Sequence, residues 1–131
     1  LILVDTGAWF ASVVPSDPDY VAASNWLRNN TEPLITTDYI VDETLTLLRA
    51  RGEESRALRI GEEFFNGNLA TVFYLTEADI RLAWEVFRSF SDKKWSFTDC
   101  TSKTIIDKLN LKYAFAFDQH FRQFGTVTVL P

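Results

Sequence analysis

Four acidic side chains, Asp5, Glu43, Asp99 and Asp118, occupy positions from which a chain of 131 residues can assemble one charged centre. Asp5 closes the apolar run Leu1-Ile2-Leu3-Val4, and Asp118 closes Tyr113-Ala114-Phe115-Ala116-Phe117. Short continuous apolar runs suit strands buried on both faces, so both carboxylates fall at the carboxyl ends of strands. Projection at about 100° per residue sorts the acids on helices. Ile40, Val41, Leu47 and Leu48 form one apolar face with Thr44 near its middle; Glu43 borders that face and Asp42 points away from it. Asp38 is expected to cap this helix. In the segment after Trp95, Ser102, Ile105, Ile106 and Leu109 make the stripe, with Asp99 at its edge and Asp107 opposite. Each acid alone has an ordinary explanation as a cap, a turn residue or a first-turn acid favoured by the helix dipole. Together in a low-dielectric cleft they repel, and without a cation at least one must take up a proton. Hard divalent ions such as Mg²⁺ or Mn²⁺ accept a few carboxylates plus water and substrate phosphate. The chemistry implied is phosphodiester hydrolysis by a metal-activated water.

The elements that must position these acids alternate. Strand runs occur at 1–4, 34–37, 70–75, 113–117 and 127–130. Helical segments are expected from Ser16-Asp17-Pro18 to about Asn30, from Asp38 to Arg51 with Gly52 as the stop, and from Glu53 to Asn66. Others run from Thr76 to about Phe90 and, capped by Thr98, to Leu109. Alternation ending in a strand predicts an α/β fold with helices on both faces of a mainly parallel sheet, as one domain over 1–131. Open parallel sheets bind ligands beyond the carboxyl ends of their strands, where Asp5 and Asp118 are expected.

Composition sets the remaining bounds. Hydrophobic residues make up 47%, which excludes disorder. A single cysteine, Cys100, excludes an internal disulfide and a cysteine-based zinc site, and fits a reducing, cytoplasmic setting. No apolar stretch approaches the roughly 18 residues that cross a bilayer. Leu1–Val4, without a basic leader and cut short by Asp5, does not read as a signal peptide. The chain contains no Met, so an initiator residue or a short leader is expected before Leu1. The net charge of −5 opposes simple electrostatic attraction to nucleic acid. Setting aside the four acids, however, leaves 18 − 4 = 14 acidic against 13 basic residues, a nearly neutral remainder.

The order and spacing of these residues resemble the PIN-domain ribonucleases, most closely the VapC-type toxins of toxin–antitoxin pairs. The resemblance spans nearly the whole chain, through Leu3-Val4-Asp5-Thr6-Gly7-Ala8, Asp42-Glu43-Thr44 with Leu47-Leu48-Arg49, Ser96-Phe97-Thr98-Asp99-Cys100, and Ala116-Phe117-Asp118-Gln119-His120-Phe121 followed by Phe124-Gly125. It implies a three-layer α/β/α sandwich with strand order 3-2-1-4-5. It assigns Asp5, Glu43, Asp99 and Asp118 as catalytic, metal-binding acids, with Thr6 and Thr98 as supporting hydroxyls. It further implies Mg²⁺- or Mn²⁺-dependent cleavage of RNA, a homodimer, and inhibition by a small antitoxin protein. Alternatives are a PIN-like RNA- or protein-binding or processing domain outside such a pair, or a Mg²⁺-dependent phosphatase-like domain. The phosphatase reading lacks its second acid, since Thr6 and Gly7 follow Asp5; a receiver-like domain lacks its late-strand lysine. His120 reads as a loop residue, Cys100 as packing, and the four tryptophans as core or interface anchors. Lys93 and Lys94, with Arg49, Arg51 and Arg122, read as solvated surface cations.

Overall fold

The computed structural model describes residues 1–131. Its elements are β1 (Ile2–Val4), α1 (Thr6–Val13), α2 (Tyr20–Asn29), β2 (Leu34–Thr37), α3 (Asp38–Ala50), α4 (Glu54–Phe65), β3 (Thr71–Phe73), α5 (Glu77–Ser89), α6 (Phe97–Leu109), β4 (Tyr113–Phe115), α7 (His120–Gln123) and β5 (Thr128–Leu130). One turn of 3₁₀ helix, Ser91–Lys93, precedes α6. The five strands form a single all-parallel sheet in the order β3-β2-β1-β4-β5, as the resemblance implied. β1 lies at the centre, with Ile2 opposite both Leu34 and Tyr113. Burial on both faces explains the runs: Ile2, Leu3 and Val4 are all buried, with no polar alternation.

Three expectations are corrected. α1 leaves no periodic signature in the sequence, because Thr6–Val13 is apolar nearly all round; it lies inside the core with Ala8, Trp9, Phe10 and Ala11 buried. Ser16-Asp17-Pro18 does not open α2. The Asp17 Oδ1 instead accepts the Asp19 N–H at 2.8 Å in a turn, and the helix begins at Tyr20. The caps of α3 and α6 also move back by a residue or two. Thr37 caps α3, its hydroxyl accepting the Ile40 N–H at 3.1 Å, while the Asp38 carboxylate accepts the Leu75 N–H at 3.1 Å. Ser96, rather than Thr98, caps α6. Gly52 does stop α3, at φ +77°, where a side chain would be strained.

The core joins β1 and β4 to the inner faces of the helices. Trp9 is fully buried, meets Phe64 edge-on at 5.1 Å and donates its indole N–H to Thr36 at 3.2 Å. Trp95 bridges a second region by donating to the Gln123 side chain at 2.8 Å and packing edge-on against Phe124. That bridge holds α7 against the start of α6.

Candidate active site

Asp5 follows β1 directly, and its N–H donates to the Phe115 carbonyl at 3.1 Å, so the ends of β1 and β4 are tied together. Its own carbonyl accepts the Ala8 and Trp9 N–H groups at the start of α1. The residue therefore caps α1 with its backbone, while its side chain makes no capping bond. The carboxyl group is buried, and burial pushes its pKa up to about 8. The neighbouring charge of Asp99 adds to the rise, the Thr6 N–H partly offsets it, and Glu43 and Asp118 raise it further. The charges of Glu43, Asp99 and Asp118 thus all bear on Asp5, and with burial they favour its protonated form.

Asp99 is placed by a capping box: its N–H donates to the Ser96 hydroxyl, and its Oδ2 accepts the Ser96 N–H, both at 3.0 Å. Asp118, half-buried in the turn after β4, accepts the His120 N–H at 2.9 Å. The Nδ1 of His120 reaches both carboxylates, at 2.9 Å from Asp99 Oδ2 and 3.3 Å from Asp118 Oδ1. Asp99, Asp118 and His120 can each present one donor atom within 4.8 Å of the others. Glu43 stands outside that tight group. It is half-buried in the second turn of α3, as its place beside the apolar face indicated, and Asp42 is exposed. The reading of His120 as a bland loop residue is corrected. A signal was present in its position two residues after Asp118, but only the packing of α7 on α6 reveals Asp99 as its second partner.

The supporting residues differ in their engagement. The hydroxyl of Thr6 is buried without a hydrogen-bond partner, as are those of Thr44 on α3 and Ser102 on α6. Thr98 is half-buried, and its carbonyl accepts the Thr101 hydroxyl at 2.6 Å. Cys100 is buried, and burial with the adjacent Asp99 charge pushes its thiol to about 11, so it stays protonated and packs. No lysine or arginine forms an ion pair with Asp5, Glu43, Asp99 or Asp118. Arg49 pairs instead with Glu54 at 2.8 Å; Lys93 and Lys94 are exposed, and neither forms an ion pair with an acid of the cluster. The donor set of carboxylates, a buried uncapped carboxyl and an unpartnered hydroxyl fits a hard divalent cation.

The fold and this acidic rim define a PIN domain, and a PIN-domain family model matches residues 2–127. The chain belongs to that family, among the nucleases whose order of acids its sequence resembles. It is 28% identical over 131 residues to the 23S rRNA-specific endonuclease VapC20 of Mycobacterium tuberculosis, covering 100% of this chain and 99% of the relative. It is 29% identical over 124 residues to a VapC ribonuclease of Archaeoglobus fulgidus, covering 91% of this chain and 78% of that protein. The crystal structure of the Mycobacterium tuberculosis VapC20, described as a sarcin–ricin-loop-cleaving toxin, superposes over the full length of both chains with a TM-score of 0.92 at 27% identity. No helix is long and apolar enough to cross a membrane.

Proposed function

We propose that this chain, as one domain over 1–131, is a divalent-metal-dependent endoribonuclease and the toxin of a toxin–antitoxin pair. One observation carries the proposal: Asp5 is buried among Glu43, Asp99 and Asp118 with no lysine or arginine to neutralise them. A carboxylate cluster kept in that state is a site for a cation supplied from solution. Asp5, Glu43, Asp99 and Asp118 hold Mg²⁺ or Mn²⁺, with the hydroxyls of Thr6 and Thr98 flanking Asp5 and Asp99 in supporting places. When bound, the ion supplies a water of lowered pKa and shields the charge that develops on phosphorus. The chain's own part is to fix the acids before RNA arrives. The capping box holds Asp99, the turn at His120 holds Asp118, and the end of β1 holds Asp5. Full-length similarity to the VapC20 endonuclease supports RNA as the substrate; a small antitoxin as the inhibitor and a homodimer as the working form are what the resemblance to VapC toxins implies.

Purified chain freed of any antitoxin is expected to cleave RNA with Mg²⁺ or Mn²⁺ and to leave 5′-phosphates. Asp99→Asn keeps a side-chain oxygen to accept the Ser96 N–H but removes its charge, and is expected to lower the cleavage rate by about 10³-fold, roughly 4 kcal/mol of barrier. Cleavage that survives both EDTA and Asp99→Asn overturns the reading.

A further inference from the structure

His120 is the one histidine in the chain, and its ring faces the two acids at the rim of the sheet. The two carboxylates do not need it for their orientation. Backbone N–H groups already hold Asp99 Oδ2, from Ser96 at 3.0 Å, and Asp118 Oδ1, from His120 itself at 2.9 Å. Nor is a ring N–H well used here. Nδ1 lies 2.9 Å from one carboxylate oxygen and 3.3 Å from another on a different residue, and a single N–H cannot point well at both. A cation can satisfy all three atoms at once. Donors about 2.1 Å from an octahedral ion stand about 3 Å apart along each edge, which is the spacing seen between this nitrogen and its two oxygens.

We propose that His120 Nδ1 is a direct ligand of the divalent ion held by Asp99 and Asp118, so that this centre has a nitrogen donor and prefers Mn²⁺ to Mg²⁺. This rests on the metal-dependent reading above and adds to it the identity of one ligand and its consequence for ion choice. With its proton on Nε2, the neutral ring presents the Nδ1 lone pair to the cluster. Mn²⁺, although the weakest binder of the divalent first-row transition ions, accepts an imidazole nitrogen more readily than Mg²⁺, which takes oxygen and keeps its waters, so one nitrogen shifts the balance without changing the count of acids. The ring is about a quarter exposed, and it is carried on the short α7 that Trp95 and Phe124 clamp to α6. The nitrogen is therefore held in place and remains reachable from solvent.

Because there is one histidine, a tag-free chain labelled with ¹⁵N-histidine gives an unambiguous readout. Bound Mn²⁺ is expected to show a nitrogen hyperfine coupling in pulsed electron paramagnetic resonance that changes from the ¹⁴N to the ¹⁵N pattern on labelling. His120→Gln is expected to abolish that coupling and to reduce the Mn²⁺-over-Mg²⁺ preference, measured by competition, by about tenfold. Mn²⁺ that is released by Asp99→Asn yet shows no histidine coupling in the parent chain overturns the ligand assignment and leaves the nuclease reading intact. Mn²⁺ that fails to bind the parent chain, or binds Asp99→Asn undiminished, overturns both.

Discussion

Helices α5 and α6 begin with the same device and put it to different uses. In α5, Thr76 accepts the Asp79 N–H and Asp79 accepts the Thr76 N–H; in α6, Ser96 and Asp99 do the same at nearly the same distances. Both aspartates are buried, at 1% and 6% exposure, so the local motif and its burial are matched. What surrounds them is not. Asp79 meets the Lys108 ammonium at 2.8 Å; burial alone would raise its pKa, but that hydrogen bond, the Thr76 contacts and the Lys108 charge outweigh burial and hold it below the usual value. Asp99 meets Asp118, His120 and the field of Asp5, with no fixed cation. The first box carries its counter-charge within the fold and serves stability. The second leaves the charge open and is suited to a bound ion.

The largest consequence concerns pH. Asp5, pushed from 3.8 to about 8, keeps a proton in the folded chain that the unfolded chain releases near pH 4. Between those values the native state binds more protons than the unfolded state, so metal-free stability falls as pH rises, by an amount on the order of a few kcal/mol. Asp79 behaves with the opposite sign: its contribution is present above its unfolded value and is lost as pH falls through its lowered folded value. The two therefore separate by window. Urea unfolding of metal-free chain from pH 5 to 8.5 should show a downward slope that Asp5→Asn flattens. Saturating Mn²⁺ should stabilise most at the alkaline end, where it no longer competes with the Asp5 proton. An unchanged slope in Asp5→Asn contradicts the contrast.

Lys108→Met tests the other box. Asp79 then keeps its caps but loses its cation, and stability at neutral pH should drop by about 1.5–3 kcal/mol. The loss should shrink on acidification as Asp79 protonates, and RNA cleavage should stay within about twofold of the parent, since Asp79 belongs to the box that serves stability. A fall in cleavage as large as that expected for Asp99→Asn would dissolve the distinction between the two helices.

Much of this contrast was legible in the sequence, because it depends on patterns that repeat along the chain. The apolar runs ending in Asp5 and Asp118 pointed to the carboxyl ends of β1 and β4, although β4 stops at Phe115 and Asp118 lies in the turn beyond it, and the apolar faces of α3 and α6 separated Glu43 and Asp99 from Asp42 and Asp107. The raised pKa of Asp5 follows the physical reason expected of clustered acids, since burial and the neighbouring carboxylates both disfavour its charge. What escaped were features without a period. α1 is buried nearly all round and offers no stripe to detect. Ser96 and Asp99, at the spacing of a capping box, start α6 two residues before Thr98, whose hydroxyl also suits a cap. His120 touches Asp99 across 21 residues of chain, through a four-residue helix whose position is set by the Trp95–Gln123 bridge. Local spacing carries no trace of such a contact.

The smallest expected effect compares two threonine hydroxyls. Thr76 Oγ1 accepts the Asp79 N–H, and removing it as Thr76→Val should cost about 1 kcal/mol, the usual loss of a helix cap. Thr6 Oγ1 is buried beside Asp5 with no partner, so it lost its bonds to water on folding and gained none in return. Thr6→Val keeps the shape and removes the unsatisfied atom, which should raise metal-free stability by about 1 kcal/mol while weakening Mn²⁺ binding and cleavage. Opposite signs for two conservative threonine-to-valine changes would mark one hydroxyl as structural and the other as kept for a ligand. A loss of stability in Thr6→Val as large as that in Thr76→Val would mean that the Thr6 hydroxyl already has its partner within the folded chain, and its tie to the ion would fall.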